Sequence, residues 1–129
     1  MGQVKEFEDL EIWQSARGIC NDIWDIIENT SLGKDYKPRD QMNGSSGSIM
    51  DNIAEGFERN GNREFIQFLS IAKASCGELR SQLYRCLDRK HIDRDLLEKL
   101  KGKTKIEGKQ IGAFMRYLKN SEKRGSKYD

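Results

Sequence analysis

Four groups of side chains in this sequence have types and spacings that could do chemistry. His91 is the only histidine. It follows Asp88 by three residues in Asp88-Arg89-Lys90-His91, the carboxylate-to-imidazole spacing of helical carboxylate-bridged metal sites. Those sites use two such pairs and two further carboxylates, whereas this pair stands alone beside two cations, so no metal is expected and His91 reads as an exposed loop residue. A single histidine also argues against acyl-transfer triads and most schemes with a histidine base. Cys20, Cys76 and Cys86 lack C-x-x-C spacing. Cys76 and Cys86, ten residues apart on one helix, would stand about 15 Å from each other, too far for a disulfide, so all three read as core-filling thiols. Gly44-Ser45-Ser46-Gly47 fits neither a P-loop nor a nucleophile elbow and reads instead as a place where helices approach closely. No cofactor is expected, nor an enzyme.

The fourth group is a row of cations. Arg94, Lys101, Lys105, Lys109, Arg116, Lys119 and Lys123 fall within an arc of roughly 80° on one helix, diluted only by Glu98 and Gly112. Such a row can follow the phosphates of RNA or DNA through contacts that are independent of sequence and steeply dependent on salt. Its alternative use is docking a protein partner. The whole-chain balance conceals this bias: 23 Lys and Arg stand against 21 Asp and Glu, yet residues 1–64 carry 7 basic and 13 acidic groups, net −6, and residues 65–129 carry 16 and 8, net +8.

The elements that must position these groups are helical. At 129 residues, 36% hydrophobic and 34% charged, the chain suits one domain over residues 1–124 with a frayed tail at 125–129. It contains no run of 18 apolar residues and no apolar leader, which points to the cytoplasm and away from membranes. Apolar spacing predicts an all-α, up-down four-helix bundle with helices near 9–30, 38–58, 63–89 and 93–120. Asp9 is the expected N-cap of the first helix and Pro38 sits in the first turn of the second. Two glycines inside the second helix weaken it by roughly 2 kcal/mol relative to alanine, and taken alone Asn43 to Ser48 reads as a turn. In the fourth helix Lys103 and Glu107 interrupt the apolar side, placing its middle at an edge of the bundle.

The first helix has an apolar arc of roughly 200°, twice the need of one contact. Leu10, Trp13, Cys20, Trp24 and Ile27 form one face. Ile12, Ile19, Ile23 and Ile26 extend it; within a monomer this extra face could lie under a loop, but a row of four isoleucines is more economically explained by a subunit interface.

A longer pattern runs through the second and third helices. Asn52-Ile53-Ala54-Glu55-Gly56, the F-x-x-F-L-x-x-A run from Phe65 to Ala72, and an F-x-D-L-x-x-W opening at Phe7, Asp9, Leu10 and Trp13 resemble the bacterial four-helix bundle family named after proteins encoded by intervening sequences in 23S rRNA genes. The resemblance implies a ring-like homopentamer without enzymatic activity. Related accessory proteins of diversity-generating retroelements imply nucleic-acid binding and a reverse-transcriptase partner. Where many members carry the basic run Q-x-R-R-A-x-x-S-I, this chain has Gln41 to Ile49 without those cations, so any nucleic-acid role rests on the fourth helix. Asn52 and Glu55 lie about 60° apart on the wheel, suited to a polar network that fixes register, with Gly56 admitting a close neighbour.

Overall fold

The computed structural model describes residues 4–123, with side chains through residue 121. It contains four α-helices, α1 (Glu11–Asn29), α2 (Tyr36–Phe57), α3 (Asn62–Asp88) and α4 (Arg94–Lys123), with short 3-10 turns at Phe7–Asp9 and Ser31–Lys34. No strand occurs among the described residues. Sequential helices pack on one another, and α4 returns against α1 along a sparser seam. The side chain of Lys123 and the expected tail at 125–129 lie outside the described residues.

The opening of the chain shows why its residue types recur together. Asp9 does not cap α1; its Oδ2 accepts from the backbone N–H groups of Lys5 and Glu6, both at 3.1 Å, and so closes the preceding 3-10 turn. Leu10, the residue before α1, is buried, and Trp13 packs on Phe7 with ring centroids 5.2 Å apart. The turn thus folds an aromatic pair over the start of α1.

The four isoleucines assigned to a subunit interface belong to the chain's own core. Ile12, Ile19, Ile23 and Ile26 are 7%, 3%, 1% and 3% exposed, whereas Trp24, from the face expected to be the core, is 52% exposed. The physical reason is that α1 has neighbours on both flanks, α2 and α4, as well as the Ser31–Lys34 turn beneath its end. A wide apolar arc counts neighbouring elements, and those that cover these four isoleucines lie within the one chain.

Helix α2 continues through Asn43–Ser48 without a turn. Its serines meet the neighbours: the Ser45 hydroxyl donates to Gln82 Oε1 of α3 at 2.6 Å, the Cys20 thiol of α1 donates to the Ser46 carbonyl at 3.1 Å, and Ser48 Oγ accepts from the Ser75 hydroxyl of α3 at 2.9 Å. A Cβ at Gly44 would meet nothing within 4 Å, and one at Gly47 only the Asp51 carboxylate at 4.0 Å. Close packing at this point is the work of the serines, and the glycines leave open space.

At the other end of α2 a glycine is required. A Cβ on Gly56 would lie 2.8 Å from Phe65 Cδ1, 2.8 Å from Phe68 Cβ and 3.3 Å from the Phe65 carbonyl oxygen. The approach lets Phe65 sit edge-on to Phe57 and Phe114, with centroids 6.0 and 5.6 Å away. Gly61, with φ of 100°, supplies the left-handed residue from which α3 starts.

Candidate nucleic-acid interface

The six described cations of the α4 row do not form a free-standing stripe. Arg94 and Lys101 flank Glu98, at 3.7 and 3.9 Å, so two of the six are partly neutralised. Lys101 also lies over the Tyr84 ring, 5.6 Å from its centroid, and Tyr84, then the Glu98 charge, push its pKa up, keeping the ammonium charged. Lys105, Lys109, Arg116 and Lys119 are exposed and have no carboxylate within ion-pair distance among the described residues.

Helix α3 completes the surface. Lys73 and Arg80, seven residues apart and therefore on one face, stand opposite Lys105 and Lys109 across a groove of about 190 Å³. Its floor includes Gly77, Thr104 and Gly108, and a Cβ on Gly108 would lie only 3.8 Å from Cys76 Cβ. Lys73 lies along α4, its Cε 3.3 Å from where a Cβ on Gly112 would be. Small residues draw the two backbones together, and the long cationic side chains rise on either side. Four cations without an ion pair among the described residues surround this groove and raise the local potential for a polyanion. The sequence reading missed Lys73 and Arg80. Their signal was the seven-residue spacing at the edge of α3's apolar arc, which sets them beside α4 once the helices pair.

The network expected of the Asn52–Gly56 segment is divided. Asn52 Nδ2 donates to the Ser48 carbonyl at 2.8 Å and to Ser48 Oγ at 2.9 Å, and Ser48 Oγ also receives the Ser75 hydroxyl of α3 at 2.9 Å. Register between α2 and α3 is therefore tied through Ser48. Glu55 takes no part; it points outward and pairs with Arg59 at 3.2 Å.

His91 differs from its expected place. Its side chain is only 9% exposed, wedged between the two loops at one end of the bundle, with Nδ1 2.6 Å from Ser31 Oγ and Nε2 2.9 Å from Asp35 Oδ2. Arg89 adds a contact to the same Asp35 oxygen at 2.8 Å. Hydrogen bonding to His91, then to Arg89, holds the Asp35 carboxyl below its ordinary range. Serine, imidazole and carboxylate are thus in line, but the N–H after Ser31, that of Leu32, is already given to Thr30 Oγ1 at 3.2 Å, so it is not free to stabilise an oxyanion. The chain of contacts is a latch joining the α1–α2 loop to the α3–α4 loop. Among the described residues there is no group of three or more His, Cys, Asp or Glu placed to hold a metal, and no helix long and apolar enough to cross a membrane.

The thiols are buried to different degrees. Burial pushes Cys76 up to about 12 and Cys86 up to about 11, and raises Cys20 as well. Glu107, expected at an edge, is 1% exposed on the inner side of α4, and burial pushes its carboxyl up to about 8.

Comparison with known proteins agrees with this architecture. A protein of unknown function from the S23 ribosomal protein family of Bacteroides thetaiotaomicron superposes with a TM-score of 0.75 at 19% identity, covering 81% of this chain and 97% of that one. At that identity the likeness is one of fold. No curated protein matches the chain. The 23S rRNA-intervening sequence protein family matches residues 8–113, and the chain belongs to that family.

Proposed function

We propose that this protein is a noncatalytic interaction module that binds the phosphate backbone of RNA or DNA along the α3–α4 groove and assembles with copies of itself. The observation that carries the first part is the placing of Lys73 and Arg80 opposite Lys105 and Lys109 across a glycine-floored groove, with no ion-paired carboxylate on any of the four among the described residues. Arg116 and Lys119 extend the same side of α4 toward its C-terminus. This arrangement recognises charge and spacing, not base edges, so it favours affinity without sequence preference.

Self-assembly is supported by apolar side chains left at the surface. Trp24 of α1 and Ile71 of α3 are 52% and 50% exposed. The homopentamer that the family resemblance implies would have a mass of about 75 kDa from chains of 14.9 kDa. Light scattering after size exclusion reads this directly, and a mass near 15 kDa at every concentration contradicts assembly.

Fluorescence anisotropy with labelled single-stranded RNA and duplex DNA, repeated over a salt series, tests the groove. Engagement of four phosphates on duplex DNA predicts a slope of about −3 to −4 in log K against log salt. Absence of binding at low salt contradicts the nucleic-acid reading and leaves the basic face to a protein partner.

A further inference from the structure

The seam between α1 and α4 carries a second cleft, away from the basic groove and independent of it. It measures about 270 Å³ and is lined by Ser15, Gly18 and Ile19 of α1 and by Lys103, Ile106 and Glu107 of α4. Glu107 is 1% exposed, and neither of its carboxyl oxygens has a hydrogen-bond partner among the described residues. A buried carboxyl with both oxygens unmatched is costly, and an apolar residue would fill an inner helix position more cheaply. Lys103, the other charged residue lining the cleft, does not serve Glu107: its Nζ lies 2.7 Å from Asp22 Oδ2 at the rim.

We propose that the α1–α4 cleft is a binding site for the ammonium end of a short aliphatic amine, with the Glu107 carboxylate as counter-ion and Ile19 and Ile106 as walls for the methylenes. The chemistry selects this class. A buried carboxylate at the base of an open cleft calls for a cation with N–H donors, the flanking isoleucines call for an unbranched alkyl stem, and the Ser15 hydroxyl can accept a further ammonium proton. Gly18 keeps the approach open, since a Cβ there would meet nothing within 4 Å.

Proton linkage gives the site a signature. Burial pushes the carboxyl up to about 8, so at neutral pH it is mostly protonated and must ionise when the ammonium arrives, releasing a proton. Among neighbouring groups, Cys76 of α3 interacts with Glu107 but stays a neutral thiol, raised to about 12, and Lys103 and Asp22 neutralise each other; no α2 side chain lines the cleft. Amine affinity therefore rises between pH 6 and pH 9.

The test is an NMR titration of the full chain with n-butylamine, with 1-butanol as the uncharged control, at matched ionic strength. The expected result is saturable binding of one butylamine per chain, shifting the amides of Gly18 and Gly108, at least tenfold stronger than butanol and strengthening with pH. Glu107→Gln weakens it at least tenfold. Gly18→Met, which covers the mouth and leaves Glu107 in place, does the same and keeps the test decisive if the Glu107 variant does not fold. Sedimentation separates two sources of the ammonium: a free amine binds with no change in mass, whereas a lysine from a second copy gives self-association that butylamine reverses. Butylamine that does not saturate, or that binds wild type and Gly18→Met equally, overturns the proposal.

Discussion

Lys103 Nζ lies 2.7 Å from Asp22 Oδ2, the ion pair that bridges α4 to α1 across a seam sparser than those between sequential helices. It stands over a carboxyl, Glu107, that it does not reach, and this division of labour sets the pH behaviour of the protein. In the folded chain Glu107 holds its proton up to about pH 8, while its ordinary value is 4.5. Between those limits the unfolded chain binds fewer protons than the folded one, so stability falls as pH rises, by at most about 1.4 kcal/mol per pH unit, and levels off above pH 8. Denaturant titrations at pH 5, 7 and 9 should show this decline in wild type and its absence in Glu107→Gln. Parallel curves would place the carboxyl in water.

Replacing Gly56 by alanine tests the α2–α3 approach. The added methyl would stand 2.8 Å from two phenylalanine side chains and 3.3 Å from a backbone oxygen that cannot swing aside. Overpacking of this kind costs about 1–3 kcal/mol. Gly44→Ala, where a Cβ meets nothing, should instead stabilise by up to about 1 kcal/mol through helix propensity. Thermal melts of the two variants should move in opposite directions.

The His91 latch predicts behaviour in acid. Asp35 has its pKa lowered by His91 and Arg89, so its stabilising contribution is complete above the ordinary carboxylate value of 3.8 and is lost as pH falls through the lower folded value. Asp35→Asn should lower the melting temperature at pH 7 and remove this part of the acid transition. Hydrogen exchange at Leu32 and Gly33 should speed up in both Asp35→Asn and His91→Ala, because each opens the same loop contact.

Thiol chemistry should follow burial. With Cys76 and Cys86 raised to about 12 and 11, neither forms appreciable thiolate at pH 8. A disulfide-exchange reagent should modify the half-buried Cys20 first and the other two only in denaturant. Rapid labelling of all three in the native protein would contradict the packing of α3.

Much of the fold was legible because helix spacing reports which faces are apolar. The number of helices, the break at Gly61 and the place of Pro38 follow from local rules that the tertiary structure does not override. What those rules cannot report is which neighbour covers an apolar face. A helical wheel points the isoleucines of α1 toward another chain because it shows the width of an arc, not that α2 and α4 flank it. Glu107 shows the converse: a charged type implies an edge, but its position in the helix repeat put it inside. The α4 cations were visible as a row on one helix. Lys73 and Arg80 were not, because a groove shared by two helices exists only once they pair.

The central claim concerns that groove, and charge reversal tests it most directly. Nucleic-acid binding should be measured over a salt series that starts at low salt for wild type, for Lys73→Glu with Lys109→Glu, and for Lys37→Glu as an exposed control on α2. The groove variant should lose binding by roughly tenfold or more, in keeping with the loss of two phosphate contacts and the addition of two repulsions, and its salt slope should shrink by about 2. The Lys37 variant should bind as wild type does within about twofold. Equal losses in both, or an unchanged affinity in the groove variant, would contradict the assignment of the α3–α4 face as the nucleic-acid interface.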